Sequence, residues 1–322
     1  MLIVTAGSIN ELFGAACAGV VAEGSRVAPR GMTTVEVLGA HLCLTDPRRR
    51  LVDLPPVRVP NPAFAVAEAL WILSGSDEPW IFQYNERLLQ YADNGRLQGA
   101  YGPRLRRWRG TVDQLAAVRG LLIEDPDSRR ATVQLFDPAH DFSGYKDVPC
   151  TLGYRFYLRE GRLHMHTTMR SQDLWLGFCY DAFTATLLQE LLAGWLGVQI
   201  GEYHHHVDSL HLYGRNVEAA MRLSADVPAS EAMPPVAVSW DDVDALLSRV
   251  IGGESVPSRG WEEMSAVMRS YRTWKAGDRV KARRVAGDAA PGLLTAALCR
   301  WYDRLASHAA EPQPLLGGGE GR

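Results

Sequence analysis

The chain has 322 residues, 47% of them hydrophobic and 22% charged, with a formal net charge of -3 and a pI near 6.3. This composition supports a packed core, and its charge balance excludes a general electrostatic pull towards nucleic acid or an anionic membrane, so any anion is expected in a local pocket. No apolar run reaches the roughly eighteen residues of a membrane span, and five widely spaced cysteines with no CxxC suit reduced thiols in the cytosol better than disulfides or thiolate zinc.

The apolar N-terminus MLIVTAGSINELFGAACAGVV lacks a basic start and carries Glu11, so it reads as folded structure rather than as a leader. Asn10 is a candidate cap for a helix to about Glu23, with Leu12, Ala16 and Val20 on one face, and Arg26 to Arg30 forms a basic loop containing a proline. Asn61-Pro62 gives a cap and a first-turn proline for a helix whose face is Phe64, Ala67, Leu70 and Trp71 and which stops at Ser74-Gly75. Tyr91 to Trp108 is rich in Gly, Asn and Arg and reads as a structured loop. Thr111 and Gln114 suggest a capping box for a helix through Leu122, with Val112, Leu115, Val118 and Leu122 inward.

From Ala131 to Tyr213 the pattern is mostly strand: TLGYRFYLR alternates, Glu160-Gly161 turns, and RLHMHTT returns. An almost wholly apolar helix from Asp181 to Leu196 interrupts it, with Asp181 a natural cap and Gly197 a stop, before a last strand carrying EYHHHVDSLHLY. Beyond Asn216, Trp240 to Val250 and Trp261 to Trp274 look helical, Val280 to Arg284 is basic, and GGGEGR suggests disorder. With no internal repeat, the expectation is a single domain over 1–322, its C-terminal third (about 217–311) harder to read and its tail 312–322 disordered.

Several groups could do chemistry. A lone cysteine is usually a small buried hydrophobe, but Cys150 opens the alternating strand and shares that strand system with Arg129, Arg130 and Arg170, and nearby cations make a thiol a better nucleophile. Glu68 falls among the apolar side chains of its helix, where burial raises a carboxyl pKa towards neutrality. Arg129-Arg130 and Arg170-Ser171 offer donors suited to a phosphate monoester. His204, His205 and His206 are adjacent on a strand and point to alternate faces, so the three cannot converge on one ion and no metal is expected. His211 and Tyr213 share a face and could grip a sugar hydroxyl.

The order of motifs resembles the thymidylate synthase family: DPDSRR, a strand, Pro149-Cys150, two paired strands, MRSQDLWLGFCYDA, a buried helix, and His211-Leu212-Tyr213, covering roughly Asn10 to Asn216. The resemblance implies an α/β (α+β) fold, a mixed sheet packed with helices, in which two subunits meet sheet to sheet as a homodimer. It implies Cys150 as nucleophile at C6 of a pyrimidine nucleotide, Glu68 as proton-handling carboxylate, and Tyr101 on the family's YG motif. Arg30, Arg170 and Ser171 would hold the phosphate, joined by Arg129 and Arg130 reaching across from the partner subunit. His211 and Tyr213 would hold the sugar 3'-hydroxyl, while Asp173 and Gly177 fall on the family's substrate-binding segment. The co-substrate would be 5,10-methylenetetrahydrofolate, with no metal, no membrane and no nucleic acid involved.

The departures carry the substrate expectation. Thymidylate synthases have asparagine where this chain has Asp181, and that amide complements O4 and N3-H of uracil. Cytosine presents the reverse pattern, an N4 donor and an N3 acceptor, which a carboxyl sharing one proton matches. Leaving buried polar groups mismatched costs about 1 to 3 kcal/mol each, enough to reverse the preference. The chain thus resembles the deoxycytidylate/cytidylate 5-hydroxymethylase branch, in which hydration replaces hydride transfer, for which Glu68 would position the water. Leu88 and Tyr91 stand where the family has tryptophans near the folate, Thr151 replaces a histidine, and the apolar closing tail is missing, which would ease water's access to the intermediate. Ser171, Arg129 and Arg130 favour dCMP over CMP, and the product would serve modified DNA or a nucleoside natural product. The competing readings are a pyrimidine C5-methylase acting through the same intermediate, and a nucleotide-binding relative without turnover, against which Cys150, Glu68 and Tyr101 together argue.

Overall fold

The computed structural model describes residues 1–223, 227–288 and 292–310. Strand β1 (Leu2–Ala6) leads into helix α1 (Ile9–Glu23), so the apolar N-terminus is folded, as expected. The cap is Ser8 rather than Asn10: the extended Ser8 accepts from Glu11 N. Asn10 lies one residue inside the helix, buried, and its side chain ties Asp53 and the Pro228 carbonyl together. Part of the basic loop is strand β2 (Ser25–Val27), followed by a single 3-10 turn at Pro29–Gly31 and by β3 (Thr34–Leu44).

Helix α2 (Pro62–Leu73) starts at Asn61, whose Oδ1 accepts from Ala63 N at 3.0 Å, and stops at Ser74-Gly75, where Gly75 takes the left-handed φ of 72°. It is apolar all round and buried, with only Glu68 partly open. The segment read as a loop contains a short helix, α3 (Tyr101–Arg106). Helix α4 (Gln114–Glu124) is capped by Asp113, whose Oδ1 accepts from Ala116 N at 2.9 Å. Thr111 therefore makes no capping box, Gln114 bonds Arg104 and Gln134 instead, and Val112 is exposed while Leu115, Val118 and Leu122 are buried.

Next come β4 (Thr132–Gln134), α5 (Pro138–Asp141), β5 (Thr151–Arg159) and β6 (Arg162–Met169), the last two joined by Glu160-Gly161 at φ 50° and 69°, the backbone of a type I′ hairpin. Then follow β7 (Gln172–Asp173), α6 (Phe178–Trp195), β8 (Gln199–Tyr213) and α7 (Gly214–Met221). Helices α8 (Val243–Gly252), α9 (Arg259–Lys275), α10 (Arg279–Asp288) and α11 (Leu293–Ala310) complete the described chain. Helix α10 takes up the basic stretch Val280 to Arg284, and the tail expected to be disordered lies outside the described residues.

The strands form one mixed sheet in the order β1-β3-β8-β6-β5-β4, with β2 beside β3 and β7 beside β8. Strand β8 is its axis, antiparallel to β3 and parallel to β6. Its alternation sends Tyr203, His205 and Val207 into the core and leaves His204 and His206 part-exposed on the other face. Helix α6 packs on β6 and β8 and meets α2, and α8, α9 and α11 also pack on α2. The mixed sheet packed with helices is the fold class that the motif order implied.

Candidate active site

Cys150 sits half-buried on the loop that enters β5, held by Arg170. The Arg170 backbone N–H donates to the Cys150 carbonyl at 2.9 Å, and its guanidinium donates to the carbonyls of Pro149 (2.9 Å) and Val148 (3.0 Å) while lying 3.7 Å from the Cys150 sulfur. The expectation that cations depress this thiol is corrected: burial pushes the Cys150 pKa up, the charges of Asp181 and Asp147 add to that, and Arg170 and Arg30 pull the other way without prevailing. One residue on, the Thr151 N–H donates to the Tyr101 hydroxyl at 3.1 Å, which pins the α3 tyrosine beside the thiol. Burial, with Cys150 and Asp181 nearby, keeps that phenol protonated.

Two carboxyls act on each other electrostatically, and one of them, Asp181, also acts on the thiol. Glu68 projects from α2 and Asp181 from the first turn of α6; burial raises both, and Asp181 raises Glu68 further. Asp181 is lifted to about 6, first by burial, with Asp173 adding and a hydrogen bond from Gln172 opposing. Neither is comfortable as an ion, and two such groups titrate as a pair. Asp181 does not cap its helix: Gly177 is the N-cap, and the Asp181 N–H donates to the Gly177 carbonyl at 3.1 Å.

Gln172 holds Asp181, and its role could not be read from sequence. Its Nε2 donates to Asp181 Oδ2 at 2.8 Å and its Oε1 lies 3.0 Å from His205 Nε2, whose Nδ1 lies 2.7 Å from the Tyr203 hydroxyl. Burial lowers the His205 pKa to about 3, so the ring is neutral. An amide that gives its N–H to Asp181 must accept from His205 Nε2–H, leaving Nδ1 as the unprotonated nitrogen of the neutral ring, beside a Tyr203 hydroxyl that also lies 3.0 Å from Thr167 Oγ1. Gly177 makes room for the network, because a Cβ there would lie 2.7 Å from Gln172 Nε2 and 3.3 Å from Asp181 Oδ2. The strand period marked His205 as facing opposite to its neighbours, but nothing in the spacing brought it to Gln172.

Asp173 spends Oδ1 on the backbone N–H groups of Trp175 and Leu176, both at 2.9 Å, which shapes the approach to α6. It pairs in register with His211 across β7 and β8. His211 and Tyr213 stand side by side, ring centroids 5.4 Å apart and nearly perpendicular. Burial raises the Tyr213 pKa, with Asp173 and Tyr91 adding to it and Arg30 and Arg215 opposing, and Arg30 acts on Cys150 as well. Ser171 is partly buried between Arg170 and Gln172. Arg129 and Arg130 are not brought here: they lie exposed just before β4, with Arg130 3.8 Å from Asp125. Asp147, which sequence reading also missed, accepts from Gly99 N at 2.9 Å and bears on Cys150.

The site thus joins a half-buried thiol, a protonated phenol, a pair of carboxyls raised by burial and a polar rim with a cation. The thymidylate synthase family model matches residues 11–244. The chain is 37% identical over 208 residues to a deoxyuridylate hydroxymethyltransferase of Bacillus phage SP01, covering 60% of this chain and 54% of that protein. It is 36% identical over 185 residues to a protein of the same name from Delftia phage PhiW-14, covering 53% and 50%. The chain spans about half the length of these curated relatives. Since the family match contains Cys150, Glu68, Asp181 and strands β2 to β8, the chain belongs to the thymidylate synthase family.

Proposed function

We propose that the chain transfers a one-carbon unit from 5,10-methylenetetrahydrofolate to C5 of a cytosine nucleotide and hydrates the result to the 5-hydroxymethyl product. The Cys150 thiolate adds to C6, and C5 gains the electron density to bond the methylene carbon. The C5 proton leaves, tetrahydrofolate departs, and an exocyclic methylene remains on the nucleotide. Water adds to that carbon as Cys150 is expelled, and Glu68 positions the water and exchanges its proton. The folate supplies only the carbon. Tyr91, half-exposed and within electrostatic reach of Tyr213, offers it an aromatic face, with the part-buried Leu88 in the same segment.

One observation supports the choice of base: Asp181 is a buried carboxyl lifted to about 6, able to accept from N4 and share a proton with N3. The phosphate is assigned to Arg30, Arg170 and Ser171, with Arg129 and Arg130 supplied by the second subunit of a homodimer, and the sugar 3'-hydroxyl to His211 and Tyr213. A uracil nucleotide is the rival substrate, favoured by the names of the two phage relatives.

Tritium release from 5-tritiated dCMP, CMP and dUMP in the presence of methylenetetrahydrofolate tests both. Release from dCMP exceeding that from dUMP, with solvent-derived oxygen in the product, is expected; release from dUMP alone refutes the cytosine assignment. Asp181→Asn should move the preference towards dUMP by at least about tenfold, matching one mismatched buried group.

A further inference from the structure

Asp147 stands three residues before Cys150 and takes no part in the steps proposed so far. The loop that carries both is tied at each end to the segment 99–101. The Gly99 N–H donates to Asp147 Oδ2 at 2.9 Å, and the Thr151 N–H donates to the Tyr101 hydroxyl at 3.1 Å. Between those ties Arg170 holds the carbonyls of Val148, Pro149 and Cys150. Carboxyl and sulfur are thus fixed on one short loop, packed so closely that a Cβ at Gly99 would lie 3.0 Å from Asp147 Oδ2 and 3.0 Å from Pro149 Cδ. Asp147 is part-exposed, and among the described residues its Oδ1 has no partner.

The charge of Asp147 works against the nucleophile. As an ion it raises the Cys150 thiol and so opposes the thiolate that begins the reaction. Such a placement has a use at the other end of the reaction, where water adds and the sulfur leaves. Glu68 enters that step with its proton on, because burial and Asp181 both raise it. It can position the water and exchange one proton for another, but in net it removes none. Asp147 differs: burial raises it too, while the Gly99 N–H and the Arg104 guanidinium favour its ion, against the charges of Asp141 and Asp93. Arg104 is itself paired with Asp141 at 2.6 Å.

We propose that Asp147 is the general base of the hydration step, an inference that rests on the proposed function and deepens it. The water oxygen bonds to the exocyclic methylene carbon, and one water proton passes to Asp147 Oδ1. The methylene π electrons re-form the C5–C6 double bond, and the C6–S bond breaks with its electron pair going to sulfur. Taking the proton removes the carboxylate charge, and with it the penalty on the Cys150 thiolate, as the sulfur leaves. Proton transfer and release of the nucleophile are thereby coupled.

Single turnovers of the full-length chain test this role, with methylenetetrahydrofolate, 2-mercaptoethanol and whichever 5-tritiated nucleotide it accepts, dCMP or dUMP. A small thiolate adds to the methylene without a base, so the ratio of hydroxymethyl to thioether product reports the base. Asp147→Asn keeps an acceptor for the Gly99 N–H but has no basic oxygen. Tritium release should persist in it while the product ratio falls about a hundredfold, and Asp147→Glu should recover at least about tenfold of that loss. With the negative charge gone, Cys150 of Asp147→Asn should also react with iodoacetamide at lower pH than in the unmutated chain. An unchanged product ratio in Asp147→Asn, with hydroxymethyl product formed by the unmutated chain, overturns the role of Asp147 and leaves the hydration intact. No hydroxymethyl product from the unmutated chain overturns the hydration and this role with it. Should Asp147→Asn fail to fold, the unmutated chain decides: without added thiol, hydroxymethyl formation should fall more steeply than tritium release as the pH drops and the base takes up a proton, and parallel curves overturn the role.

Discussion

Asp181 and Glu68 cannot both ionise cheaply in one buried space, and the sign of the Asp181 shift gives a pH dependence. Its pKa in the free protein is raised to about 6; with cytosine as the proposed base, the carboxyl below that value already carries the proton to be shared with N3, and above it binding must take a proton from solvent. The dCMP Kd should therefore be flat below about pH 6 and rise above it, approaching tenfold per unit. Calorimetric titration across about pH 5 to 8, with proton uptake read from buffers of different ionisation enthalpy, measures this. A Kd that stays flat to pH 8 shows that no proton is shared at the base. Gln172 opposes the shift by donating to the carboxylate, so Gln172→Leu should move the onset of the rise to higher pH. It should also weaken the fold by about 1 to 3 kcal/mol, because His205 Nε2–H loses its acceptor. An unchanged onset would remove Gln172 from the base-reading network.

At the scale of elements, the approach to α6 is set by one missing methyl. Gly177→Ala would place a Cβ 2.7 Å from the Nε2 of Gln172, a side chain already held by Asp181 at Nε2 and by His205 at Oε1. The dCMP KM should rise about tenfold, about 1.4 kcal/mol, and combination with Gln172→Ala should be less than additive; full additivity would mean that the two act separately. Asn61→Ala should cost about 1 kcal/mol of stability from the lost cap, read as a lower urea midpoint, and more because Nδ2 also donates to the Tyr84 carbonyl. These helices were legible in sequence because cap, proline, apolar run and glycine stop agree with one another. Helix α3 was not, since Gly102 and Pro103 stand in its first turn and carry little helical signal. Tertiary bonds hold it: Arg104 reaches Asp141, the Leu135 carbonyl and the Gln98 carbonyl. Cys150, Glu68 and Tyr101 could be found from motif order, whereas Gln172 and His205 meet only once β7, α6 and β8 are assembled.

At the scale of the molecule, the phosphate grip within one chain is thin. Arg170 has its guanidinium on the carbonyls of Val148 and Pro149, Arg215 lies over the Tyr213 ring at 5.1 Å, and Arg30 acts electrostatically on both Cys150 and Tyr213. Arg129 and Arg130, exposed before β4, then matter most if they complete the site of a second copy, as the proposed homodimer requires. Subunit mixing tests that arrangement directly. Cys150→Ala homodimers lack a nucleophile in both sites, and homodimers of the double variant Arg129→Glu, Arg130→Glu lack the donated pair in both. In the mixed dimer one site regains Cys150 from one subunit and both arginines from the other. With random exchange half of the dimers are mixed and each holds one competent site, so activity should return to about a quarter of the unmutated level. If mixed dimers form, as separately tagged subunits would show, and no activity returns, the arginines serve their own chain and the shared phosphate site is wrong.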